Sequence, residues 1–210
     1  MKKLFCELKM GWPGVIIFAA VAGIVTGALA SIPATDETSF RDIAISFEWW
    51  VIFTFIIASN CEKAWESMLK IFVFFLISQP LVYVTEVVAG HLDAQMALYY
   101  YKSIWGPITL LTLPGGLIAF LIKKQNALGC IILGLGCTIQ AFMGVSYTIK
   151  MFDNPPYHLI SAIVCFASIF VMIYCIQVTW KRRIATLLIA VVVTAALIIL
   201  MLCTGRSLTY

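Results

Sequence analysis

The stretch IATLLIAVVVTAALIILMLC, residues 184–203, decides the fold, because twenty residues pass without one Asp, Glu, Lys, Arg or His. A helix of that length is roughly 30 Å long at ~1.5 Å per residue, which matches the hydrocarbon thickness of a bilayer. It is entered through Trp180, Lys181, Arg182 and Arg183, an aromatic and three cations of the kind that sit at headgroup level. A strand of this length is excluded, since an open sheet edge in lipid leaves backbone groups without partners.

Working outward, the same pattern recurs. Apolar runs cover residues 12–32, 43–59, 68–89, 105–122, 127–149 and 157–178, each closed by polar or basic residues. The sequence therefore predicts an all-α integral membrane protein, a polytopic bundle of about seven transmembrane helices forming one domain over residues 1–210. Composition agrees, with 62% hydrophobic and only 11% charged residues. A soluble domain carries roughly 25% charged residues, because its surface must face water. The net charge of +4 comes from small basic groups between apolar runs, which argues for a membrane surface and against nucleic acid.

Those basic groups also predict orientation. With the N-terminus in the cytoplasm, Lys2, Lys3, Lys9, Lys63, Lys70, Lys123, Lys124, Lys181, Arg182 and Arg183 fall on the inner side. Only Arg41, Lys102, Lys150 and Arg206 fall outside, together with Asp36, Glu37, Asp42, Asp93 and Asp153. The excess of inner cations follows the positive-inside rule and puts the C-terminus outside, in a multi-pass protein of the cell membrane. All six tryptophans fall near run ends, as an aromatic belt requires, with Trp49 and Trp50 on the outer side. A competing reading takes residues 1–30 as a cleaved secretory signal, since Ala28-Leu29-Ala30 resembles a small-residue cleavage site. The run from Gly14 to Ile32 is long enough to span, and Ala19, Gly23, Gly27 and Ser31 give it a small-residue face for helix packing.

The chemistry-bearing residues are few. Carboxylates inside an apolar span cost about 2.5–3.5 kcal/mol near the bilayer centre, so each one invites a functional reading. Glu48 and Glu86 both fall roughly 5–8 Å below the outer boundary, on neighbouring antiparallel runs. They are expected to form a cation or proton site there; the plainer reading has each reach toward the outer headgroups, where Arg41 or Lys102 can pair with it. Pro80, after Ser78 and Gln79, and Pro114, followed by Gly115 and Gly116, predict breaks at mid-depth, where freed carbonyls need protein or water. Gln79, Thr112 and Gln140 are candidates to contact cargo beside them, with interhelical hydrogen bonding as the alternative.

The glycines at 129, 134, 136 and 144 read as close packing, because no strand precedes them and no Gly-Lys-Ser/Thr follows. Cys6 and Cys61 fall on the inner side and the other cysteines within apolar runs; all seven read as reduced packing residues. No metal ligand set and no cofactor motif is present, and His91 and His158 read as interfacial. The functional expectation is a small-solute or ion transporter or channel, whose partners are the bilayer, a solute or cation, and a second copy or other membrane subunit. The alternatives are a non-catalytic scaffold that binds its partner through the first helix, whose packing face includes Gly23 and Gly27, and through the basic inner loops, and a lipid-modifying membrane enzyme that uses the outer acids and histidines.

Overall fold

The computed structural model describes residues 10–35, 38–45, 47–153 and 157–204, which form helices and turns with no strand among them. Lys2, Lys3, Cys6, Lys9, Asp36, Glu37 and Arg206 lie outside the described residues. In chain order the helices are α1 (Trp12–Ala30), α2 (Ser39–Ile45), α3 (Phe47–Asn60), α4 (Ala64–Val88), α5 (Ala94–Tyr100), α6 (Gly106–Phe120), α7 (Ala127–Asp153), α8 (Leu159–Ile176) and α9 (Trp180–Cys203). Six stretches are long and apolar enough to cross a bilayer: α1, α4, the continuous rod Ala94–Lys123 that contains α5 and α6, α7, α8 and α9.

The second apolar run differs from its expected form. It divides into α2 and α3, and α3 has 14 residues, about 21 Å against a core of about 30 Å. It still runs between the two ends of the bundle. Glu48, near its start, meets Tyr147 near the end of α7, and Cys61, just past its end, accepts a bond from Lys123 before α7 begins. A short helix is tolerated here because it packs against α4, α6, α7 and α8, so protein surrounds much of its backbone. Trp50 belongs to this interior and not to an aromatic belt. It is buried, with ring centroids of Phe74 and Trp105 each 6.0 Å away. Trp12, Trp65 and Trp180 remain exposed at helix starts, as expected.

The small-residue face of α1 is filled from within the chain, by α4. A Cβ at Gly23 would lie 2.5 Å from the Ser78 carbonyl oxygen, and one at Gly27 2.5 Å from that of Val82. The small-residue face that motivates the scaffold reading is thus covered by α4. The α7 glycines do mark close packing: Gly134 on Ile189 of α9, Gly136 on Phe55 of α3 and Gly144 on Phe166 of α8.

Two expected interruptions are also corrected. α4 continues through Pro80 and α6 through Pro114. Each proline removes one N–H, but the remaining ladder is intact and lipid offers an unwound backbone nothing in exchange. The connection expected over residues 91–104 is helical from Ala94, because the Asp93 carboxylate caps it, accepting from Gln95 N at 2.8 Å and Met96 N at 3.4 Å. A π-turn over Tyr101–Trp105 then carries the rod into α6. The wider turn accommodates Pro107, which has no N–H and would crowd the preceding turn of a regular helix.

The end of the bundle that holds Lys123 is tied by side-chain bonds to backbone carbonyls. Lys70 is buried, donating to the Met10 carbonyl at 2.5 Å and pairing with Glu66 at 2.6 Å. It thus secures the start of α1, a larger role than an exposed i,i+4 pair would have. Gln125 donates to the Ile176 carbonyl at 2.9 Å and accepts from Val178 N at 3.1 Å, closing the end of α8. Burial pushes the Cys61 thiol up to about 11, with the nearby Glu66 carboxylate acting the same way and Lys70 and Lys123 opposing. Since the thiolate is the nucleophile and Cys61 is buried, Cys61 should resist maleimide at neutral pH in the folded protein and react once the chain is denatured. Mass-spectrometric mapping of labelled cysteines reads this, and rapid labelling of Cys61 in folded protein at pH 7 would contradict it.

Candidate functional site

At the end of the bundle opposite Lys123, α2, α3, α7 and α8 bring together polar side chains that lie far apart in sequence. Asp42, on α2, is 3% exposed, and its Oδ2 accepts from Ser161 Oγ at 2.6 Å. The same oxygen lies 2.8 Å from His158 Nδ1. Ser161 N donates to Ser39 Oγ at 3.1 Å, which completes the tie between α2 and the first turn of α8. His158 takes φ 64°, the left-handed region, at a cost of about 1–2 kcal/mol for a residue with a Cβ. The bond to Asp42 holds it there, as does stacking on Tyr147, with centroids 5.7 Å apart and planes 15° from parallel.

Deeper in the bundle lies Glu48, 1% exposed. Its Oε1 accepts from the Tyr147 hydroxyl at 2.9 Å. The fully buried Gln140 donates from Nε2 to the Glu48 carbonyl at 2.7 Å, and its Oε1 accepts from Ser168 Oγ at 3.2 Å. Ser168, Gln140, Glu48, Tyr147 and, by ring stacking, His158 and Asp42 thus form a file from the middle of α7 to its end. Buried polar groups in hydrocarbon persist only when they satisfy one another, so such a file costs stability unless complete.

Two cavities flank the file. One, of about 670 Å³, is lined by Asp42, Phe47, Val51, Thr138, Ile139, Phe142, Met143, Ser146, Tyr147, Lys150 and Leu197. The other, about 260 Å³ and almost wholly apolar, follows α3 and α8 from Trp49 to Ser59 and from Val164 to Ile176, with Ser168 on its wall. The file therefore runs between them, with Tyr147 bordering the first and Ser168 the second.

Of the residues singled out in the sequence, Glu48 and Gln140 meet directly. The others are elsewhere. Glu86, on α4, has Arg41 and His91 as neighbours, and its carbonyl accepts from His91 N at 3.0 Å. Gln79 is buried on α4, with its Nε2 unpartnered. Thr112 donates to the Thr109 carbonyl at 2.6 Å, inside its own helix. None of these three lines either cavity. The sequence does not single out Tyr147, Ser161 or Ser168, and it reads Asp42 and His158 only as residues of the outer boundary. Gln140, Gly144 and Tyr147 share a helix face at spacings of four and seven, a signal that leads from Gln140 to Tyr147. Nothing comparable announces the meeting of Asp42 with His158.

Among the described residues, no group of three His, Cys, Asp or Glu is placed to hold a metal ion. No protein-family model, curated protein or solved structure matches the chain.

Proposed function

We propose that this membrane protein moves a proton, or a small solute or cation coupled to one, with Glu48 as the group that takes up and releases the proton. The supporting observation is a carboxylate at 1% exposure inside an apolar bundle, bonded to Tyr147 and flanked by Gln140. An ionisable group at that depth is costly, and in membrane proteins such groups mark ion pathways and proton relays. In this reading α3 counts as a seventh crossing, the N-terminus is cytoplasmic, and the Asp42–His158 end opens outside a cell membrane. Glu86 is left to an electrostatic role beside Arg41.

Glu48→Gln keeps the size of the side chain and an acceptor for Tyr147 but removes the titrating group. It should reduce proton-linked flux in proteoliposomes, followed with a trapped pH dye, by at least about tenfold, equivalent to roughly 1.4 kcal/mol. Glu86→Gln should leave most of it. Unchanged flux after Glu48→Gln would remove Glu48 from the mechanism.

A further inference from the structure

The larger cavity carries an inference of its own, independent of whether anything is transported. Its walls are divided by chemistry. Phe47, Val51, Ile139, Phe142, Met143 and Leu197 form an apolar trough, while Lys150 stands at the end nearest the turn into α8. The Lys150 ammonium lies 6.0 Å over the Tyr147 ring and forms no ion pair among the described residues. The acid on the same wall, Asp42, is engaged by Ser161 and His158. The cavity thus offers one ammonium without an ion-pair partner among the described residues, above a hydrophobic trough.

Its dimensions narrow the choice further. Along α7 the trough extends from Lys150 to Thr138, twelve residues, or about 18 Å. That is a little over half the ~30 Å thickness of a bilayer core, the reach of one acyl chain. About 670 Å³ falls within the roughly 300–1,000 Å³ of small-ligand pockets and is ample for one such chain. A single unpaired ammonium is matched by a monoanionic head.

We infer that the cavity bounded by Lys150, Tyr147, Phe142 and Leu197 binds a long-chain monocarboxylate, its carboxylate on the Lys150 ammonium and its chain lying along α7 toward Thr138. A charge-assisted contact at the edge of the hydrocarbon holds the head, and burial of the chain against Phe142, Met143 and Leu197 supplies the affinity. Glu48 is not part of this site.

The test is equilibrium binding of radiolabelled palmitate to the full chain in phosphatidylcholine nanodiscs, with empty nanodiscs as the background. Wild-type discs should bind about one palmitate per chain above background. Lys150→Gln should weaken binding by about tenfold or more, Lys150→Arg should retain it, and Met143→Trp should abolish it by filling the trough. Hexadecanol, which has the same chain without the charge, should compete at least about tenfold less well than palmitate. That competition uses only the wild-type protein, so it stands even if a variant misfolds. Binding no greater than to empty discs, equal competition by hexadecanol, or unchanged affinity in Lys150→Gln would overturn the inference. Lysophosphatidic acid outcompeting palmitate would overturn the assignment to carboxylates. Glu48→Gln should bind palmitate normally, so a failed flux experiment and a failed binding experiment are separate results.

Discussion

Replacing Gly23 with leucine is expected to prevent α1 from docking on α4, leaving protein that aggregates on detergent extraction. Even the first atom of a side chain meets backbone: a Cβ at Gly23 falls 2.5 Å from the Ser78 carbonyl oxygen and 3.1 Å from Ser78 Cα. Neither can yield by rotating a side chain, so α1 must move away from α4 along much of its length. Over-packing a filled core usually costs about 1–3 kcal/mol, and leucine here should exceed alanine. Gly23→Ala should already lower the thermal midpoint measured by tryptophan fluorescence. Gly115→Ala is the matched control, because nothing lies within 4 Å of its Cβ position. Alanine there should be neutral or stabilising by about 0.5–1 kcal/mol, the ordinary helix preference over glycine. Equal midpoints for Gly23→Ala and wild type would show that the α1–α4 contact is looser than described. Release of a separate partner subunit from otherwise folded Gly23→Leu would instead support the scaffold reading.

Asp42→Ala should be the most damaging change at the His158 end. It removes the acceptor of Ser161 Oγ and the partner of His158 Nδ1 in one step. Taking one member from a buried pair typically costs about 3–5 kcal/mol, most of it from the polar groups left behind. The loss also frees His158 from the bond that holds it at φ 64°. His158→Gly in the Asp42→Ala background should therefore recover part of the stability, since glycine adopts positive φ without steric cost. Circular-dichroism melts of the two single variants and the double variant give the coupling directly. If the two losses simply add, Asp42 and His158 do not act as a unit and the tie between α2 and α8 is carried by Ser39 and Ser161 alone.

The Asp42 tie also explains why site and fold were not equally legible. Asp42 and His158 are 116 residues apart, and each looked like an ordinary boundary residue in its own stretch of sequence. Glu48 and Gln140 stood out because a carboxylate and an amide are conspicuous in apolar runs, whichever element they face. Pairing Glu48 with Glu86 assumed that carboxylates at similar depth share a face. Depth is set by counting residues along a helix, whereas facing depends on how each helix is rotated against its neighbours. That rotation places Glu48 toward Tyr147 on α7 and leaves Glu86 beside Arg41.

What the amino-acid order determined unaided was solvent and secondary structure. Long runs without charge must be helices in hydrocarbon, because only a helix satisfies its own backbone there, and the six long apolar helices follow from that requirement. What only the tertiary structure decided was partnership. The glycine face of α1 closes on α4 and not on another protein, Pro80 and Pro114 remain inside intact helices, and Tyr147 joins Glu48 to the His158 cluster. These outcomes depend on side chains from distant segments meeting within a few ångströms, and hydropathy, which records how well each segment tolerates lipid, carries no information about which segment it meets.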